Sequence, residues 1–298
     1  YVPFESVPLV WCITRPGRFG LDWRNHFFRK IMLSSTIEPG RLSRFLEQIY
    51  REKNRPQFID PDPLLLVRSF ARIRDREIAG LLASGLAYGR VDQIMKAAAS
   101  VLGIMGPSPY AYVRDRGERQ METDFSAFCY RFSRGEQVTA LIRGMARMLK
   151  AYGSLEAGFS SGLDPGAQTV QPALGPFCRM LDPDRICGHL LPDPEKKSAC
   201  KRLHLFLRWM VRQDPVDPGG WNTVPQKQLV VPLDLHMHRI ATLLGFTRRK
   251  GADLKTAMEV TAGFARLNPA DPVKYDFCLT RYGIREELDL KMLFADMA

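Results

Sequence analysis

The chain has 298 residues, 45% hydrophobic and 25% charged, enough to bury a sizeable core as one large domain or two packed lobes. Its 43 basic and 32 acidic side chains leave a formal charge of +11, which favours polyanionic partners, nucleic acid before an acidic membrane surface, over a basic surface without a partner. No stretch approaches the roughly 18 apolar residues of a membrane helix, and the six cysteines include no C-x-x-C pair, so a disulfide scaffold and a four-cysteine iron–sulfur loop are not expected and a reducing cytoplasm is.

Residues 1–31 have a mixed composition, with one short apolar patch, Val7–Ile13, close to Arg15 and Arg18. They do not resemble a signal peptide and read as a poorly structured or mis-translated N-terminal extension. Residues 32–298 read as one helical domain of two packed lobes, because helical periodicity dominates them. Leu42, Phe45, Leu46 and Ile49 share a face after Pro39-Gly40. Asp62-Pro63 precedes a long run in which Leu66, Val67, Phe70, Ile73, Ile78, Leu81 and Leu82 sit at near-helical spacing. Gly80, Gly85 and Gly89 are small positions suited to close helix packing. Asp92–Leu102 predicts a helix closed by Gly103 and Gly106-Pro107, and Glu136–Tyr152 another, with Val138, Leu141, Met145 and Leu149 inward.

Gly162–Gly166 is a loop and Leu174–Leu181 a short helix. Asp182–Lys197, rich in Pro, Asp and Lys, reads as a loop or hairpin before a helix over Ser198–Arg212. Asp214–Pro225 is irregular. Val230–Pro232 is a brief extended entry to a helix from Asp234 to about Leu244. Asp253–Leu267 and Asp271–Tyr282 complete the set, with Asp271 as N-cap ahead of Pro272. No region shows the alternation of a multi-strand sheet, so the fold class is all-α.

The chemistry concentrates between Lys201 and Asp234. Lys201 opens a helix whose buried stripe is Leu203, Phe206, Leu207 and Met210, with Asp193 or Ser198 placed to cap the first turn. The positive end of the helix dipole, partial burial and the charges of Lys196, Lys197 and Arg202 all favour the neutral, nucleophilic amine there. A solvated or phosphate-binding lysine is the plain alternative. Asp234, two residues after Pro232, is a good N-cap. A carboxylate at that place can equally face a cleft and stabilise a cationic transition state.

PLDLHMHRI resembles the P-[IV]-D-x-x-x-x-R segment of the HhH-GPD DNA glycosylases, with Leu233 a mild departure. The lysine before LFLRWM resembles their Schiff-base lysine. The long connection between the two is similar to that of the archaeal 8-oxoguanine glycosylase branch, and DPVKYDFCLTRYG resembles the helix that closes that fold. KRLHLFLRWMVR, PLDLHMHRI and DPVKYDF together resemble an uncharacterised bacterial family of this superfamily, over Asp62–Gly283. The likeness to the glycosylases themselves spans Ser198–Gly283. The hairpin L-P-G-[VI]-G of those enzymes, whose glycines let backbone N–H groups approach a phosphate, is absent. GHLLPDPEKKSACKR stands in its place, and Lys196, Lys197 and Lys201 offer a side-chain grip instead.

The resemblance implies a two-lobed helical HhH-GPD-like fold and a DNA N-glycosylase, with or without AP lyase activity, acting on a damaged base such as an oxidised purine. Lys201 would attack the sugar C1′ and Asp234 would stabilise the transition state. No cofactor or metal is expected. Duplex DNA is the expected partner, RNA is possible, no membrane is involved, and a monomer is expected. The alternative is a nucleic-acid-binding protein of the same fold without chemistry.

Several further residues carry two readings. Trp209 can stack on a flipped base or belong to the core, and Arg208 and Arg202 are candidate DNA contacts. Arg239 resembles the arginine that follows the glycosylase aspartate, and can meet a phosphate or pair with Asp234. Arg248, Arg249 and Lys250 form a basic run that can grip phosphate or face solvent. His236 and His238 do not share a helix face, so they do not predict a metal site. Tyr88 and Gln93 stand in a segment that can reach substrate from the other lobe.

Overall fold

A computed structural model describes residues 39–285 apart from Lys197, together with Leu288 and Leu293. The expectations for residues 1–31 and Lys197 therefore lie outside the described residues. Thirteen α-helices, four short 3-10 helices and one small hairpin account for the described secondary structure, in agreement with the all-α expectation. From Thr36 onward the chain forms one unit.

Helix α1 (Pro39–Lys53) buries Leu42, Phe45, Leu46 and Ile49 as its periodicity predicts. The long apolar run that follows is two helices, α2 (Leu64–Arg68) and α3 (Ile73–Gly85). At the break, Ser69 Oγ donates to the Leu66 carbonyl, a side-chain bond that competes with the helical ladder. Arg72 is extended, and Arg68 leaves the axis to donate to the Val216 carbonyl at 2.5 Å. Helices α4 (Val91–Met105), α5 (Pro109–Asp115) and α6 (Glu118–Phe125) follow. An antiparallel hairpin then pairs β1 (Cys129–Tyr130) with β2 (Ser133–Arg134).

Helix α7 (Gly135–Tyr152) packs on α6, on α8 (Leu155–Ser160) and on α9 (Gln171–Leu181). Helix α10 (Lys201–Val211) lies along α3. The approach is close because Gly80 lacks a Cβ: one built there would stand 3.2 Å from Met210 Cε and 3.3 Å from the Phe206 ring. Helices α11 (Leu235–Leu243), α12 (Leu254–Ala265) and α13 (Asp276–Ile284) complete the chain, with α11 against α13 and α13 against α1. An aromatic cluster fills the centre: Phe159 lies 5.2 Å from Phe177, and Phe206 lies 5.2 Å edge-on from Trp221, centroid to centroid.

Three expectations are corrected. Neither Asp193 nor Ser198 caps α10, which begins only at Lys201, after Cys200 has turned through the left-handed region at φ 44°. Ser198 Oγ accepts from the Cys200 amide at 3.3 Å instead, and Asp193 serves its own loop through the Glu195 amide. Asp271 does not open a helix. Residues Pro272–Tyr275 are turns, and the Asp271 carboxylate accepts from Arg212 Nε at 3.0 Å. Finally, α10 is not a one-sided amphipathic helix, because its polar face is buried too: His204, Arg208 and Trp209 are as enclosed as the apolar stripe.

Candidate active site

Two chain features bring Lys201 and Asp234 together. The left-handed turn at Cys200 makes Lys201 the first residue of α10. On the other side Leu229–Leu233 runs buried and extended, and the Val231 amide donates to Thr261 Oγ1 of α12 at 3.0 Å. Pro232 keeps the approach to Asp234 extended. Asp234 then caps α11, its Oδ1 accepting from the Met237 amide at 2.8 Å. Its other oxygen stands 3.4 Å from Lys201 Nζ. The lysine side chain is 36% exposed and the aspartate 16%, so both are held by the protein yet open to an incoming ligand.

The pair borders an open cavity of about 290 Å³. Asp62, Lys201, Arg208, Asp234, His236 and Asp276 all line it. A second recess of about 350 Å³, lined by Tyr88, Pro192, Ser198 and Arg202, shares Ala87, Gly89, Ile94 and Lys201 with the first. Lys201 thus stands between two hollows.

Below the cavity lies a buried ionic network. Arg208 and Asp217 are 3% and 0% exposed, and Arg208 also binds Asp276 through Nη1 and Oδ2. Arg212 joins Asp217, Asp214 at 2.8 Å and Asp271 at 3.0 Å. Asp214 extends the chain to Tyr50, whose hydroxyl donates to it at 3.0 Å. Removing one partner from such a network costs about 3–5 kcal/mol, because the charge left behind is buried and unpaired. Two guanidiniums face four carboxylates here, and Asp276 Oδ1 has no hydrogen-bond partner among the described residues. Burial, opposed by Arg208 and reinforced by Asp234, pushes the Asp276 carboxyl up to about 6. Burial pulls the His236 imidazole down, with Asp234 acting the other way.

Other residues singled out by sequence are placed differently. Trp209 is fully buried and is core, out of reach of a stacking base. Arg208 is committed to Asp217 and Asp276, so it is no surface phosphate contact, although it reaches the cavity floor. Arg202 donates to the Gly85 carbonyl and lies over the Tyr88 ring at 5.2 Å. Arg249 pairs with Asp253 at 2.8 Å. Arg239 is half-buried and does not pair with Asp234. Lys196, Arg248 and Lys250 are exposed. The Arg248–Lys250 loop is tied near Lys201: Ser198 bridges Asp253, and His238 Nε2 is 2.8 Å from the Arg249 carbonyl. His236 instead faces the cavity, its ring against Gly283, so the two histidines point to different places. Among the described residues no group of three or more His, Cys, Asp or Glu side chains is arranged to hold a metal.

Asp62, Asp276 and Arg281 are site residues that the sequence reading did not find. Arg281 Nη2 donates to Asp62 Oδ2 at 2.9 Å, which ties α13 to the loop before α2. The available signal was Asp276 within DPVKYDF, a carboxylate amid apolar neighbours.

A family model described as a protein of unknown function (DUF2400) matches residues 62–285. No curated protein and no solved structure matches the chain.

Proposed function

We propose a function for this chain, which belongs to the DUF2400 family: it is a DNA N-glycosylase with lyase activity, of the helix-hairpin-helix type, acting on a damaged base of the oxidised-purine class. The observation that carries the reading is the Lys201 amine 3.4 Å from the Asp234 carboxylate at the edge of an open cavity. The pair fits a nucleophile and the general base that takes its proton. After passing a proton to Asp234, Lys201 Nζ forms a bond to C1′ while the bond from C1′ to the base breaks with its electron pair on the base. Ring opening gives an imine between Nζ and C1′. Solvent then takes a C2′ proton while the C3′–O bond breaks with its electron pair on the departing phosphate, which nicks the strand. The +11 charge and the exposed Arg248 and Lys250 beside the turn into Lys201 support a polyanionic partner.

The test offers the protein duplexes carrying oxidised, alkylated and deaminated bases in the presence of borohydride, which reduces the imine to a stable amine. Base release and a trapped adduct are expected, and Lys201→Ala abolishes the adduct. No base release and no adduct from any duplex would falsify the proposal.

A second reading is a binding protein that does no chemistry on bases. The glycine-poor loop before α10 favours it, since its acids Asp193 and Glu195 occupy Arg185 and Arg179. Salt-dependent binding without an adduct supports that reading, and competition among duplex, single strand and structured RNA identifies the preferred polymer.

A further inference from the structure

The cavity beside Lys201 has a floor, and one group on it is unaccounted for. Asp276 lies at the first residue of α13, is 3% exposed, and lines the same cavity as Lys201 and Asp234. Its Oδ2 accepts from Arg208, while its Oδ1 has no partner. A buried carboxylate oxygen without a donor costs free energy unless it carries a proton and finds an acceptor.

In the network four carboxylates share two guanidiniums, so one of them is the natural holder of a proton. Arg208 and Arg212 serve Asp214, Asp217, Asp271 and Asp276. The other three acids are better satisfied than Asp276. Asp217 accepts from a guanidinium at each oxygen, Arg208 at Oδ1 and Arg212 at Oδ2. Asp214 accepts from Tyr50 and from the amides of Val216 and Asp217. Asp271 accepts from Arg212 at both oxygens and is less deeply buried. Burial raises Asp217 as well as Asp276, but of the four acids only Asp276 has a bare oxygen, and only Asp276 lines the cavity.

The charges facing Asp276 act in both directions. From α10 come Arg208 and, at the cavity wall, Lys201; from α11, Asp234 and His236; from the segment after α10, Asp217; from the loop before α2, Asp62; from α13 itself, Arg281. Arg281 is held by Asp62 at 2.9 Å and Lys201 by Asp234 at 3.4 Å, so neither cation is spent on Asp276.

We infer that Asp276 is the acid that protonates the departing base, an assignment that rests on the glycosylase reading above. The bond from C1′ to the base breaks with its electron pair on the base. The Asp276 proton moves to a nitrogen or oxygen of that base, the carboxylate left behind stays paired with Arg208, and solvent restores the proton after release. Lys201 supplies the new bond to C1′, so the two steps use different groups on opposite reactants. An acid titrating near 6 is suited to this work close to neutral pH.

The experiment compares single-turnover base release by wild type and Asp276→Asn between pH 5 and 8, on an 8-oxoguanine:cytosine duplex and on any other duplex the wild type accepts. Asn retains an oxygen for Arg208 but has no proton to transfer. Wild type is expected to be about a hundredfold faster at pH 5–6. The ratio should shrink about tenfold per pH unit above the titration, as the acid form is lost. A ratio constant across the range overturns the inference and leaves the glycosylase reading standing. Absence of release from every duplex by wild type overturns both. Should Asp276→Asn not fold, carbon-13 labelling of the aspartate carboxyls decides: a wild-type signal assigned to Asp276 through its own backbone and titrating between pH 5 and 7 upholds the inference, and an Asp276 signal titrating outside that range overturns it.

Discussion

At the scale of single residues, Asp234 has two duties that substitution can separate. It caps α11 through the Met237 amide and faces the Lys201 amine. Asn caps a helix about as well as Asp but cannot take up a proton. Asp234→Asn should leave the melting temperature within about 2 °C of wild type and lower base release by about a hundredfold or more. Asp234→Ala should lose the cap as well, at about 1 kcal/mol. Thermal denaturation read beside borohydride trapping checks both; an Asn variant as active as wild type would reduce Asp234 to a cap. This pair was legible in the sequence because two motifs that resemble the glycosylase lysine and aspartate carry it; the local setting, a lysine at a helix start and a capping acid after a proline, gave only where each sits. Asp276 was not legible, since its meaning depends on Arg208, Asp217 and the cavity, which come from four separate stretches of chain. Arg208 and Trp209 were misjudged for a related reason. Helical periodicity identifies one buried face of α10 but cannot show that α13 and the Asp217 turn cover the other.

At the scale of elements, α1 and α12 follow from spacing and caps: α1 from its apolar face, α12 from Asp253, whose Oδ1 accepts from the Thr256 amide at 2.9 Å. The boundary between α2 and α3 did not follow, because Ser69 and the reach of Arg68 to Val216 break a run whose apolar spacing continues. Asp271 was read as a cap from the adjacent proline, whereas a buried guanidinium claims it. Close packing makes a test at this scale. A Cβ on Gly144 would fall inside the van der Waals radius of the Leu181 carbonyl oxygen, which is backbone and cannot swing away. At Gly80 the same atom meets only the ends of Met210 and Phe206. Gly144→Ala should therefore cost about 2 kcal/mol or more, and Gly80→Ala about 1 kcal/mol or less, since alanine's better helix propensity offsets the crowding. Urea denaturation of the two variants measures the difference. Equal losses would mean that α7 and α9 are not packed as described.

At the scale of the whole molecule, the excess of basic side chains is diffuse, and much of it is internally paired, as at Arg208, Arg212, Arg249 and Arg281. Charge alone pointed to a polyanion without showing where it binds. The bridge from Ser198 to Asp253 ties the segment that follows the exposed Arg248 and Lys250 to the turn that leads into Lys201, which makes those two the candidates. Duplex binding should weaken steeply with salt, and replacing Arg248 and Lys250 together by alanine should lower the log–log salt slope by about 2. Fluorescence anisotropy across a salt series gives that slope, and an unchanged slope would move the interface elsewhere.

The central claim, that one lysine forms a covalent bond to the sugar, is tested most directly by tandem mass spectrometry of the borohydride-reduced complex after digestion of protein and DNA. The account predicts a sugar fragment attached to the peptide at Lys201. Attachment at a different lysine, or an intact adduct in the Lys201→Ala protein, would contradict it.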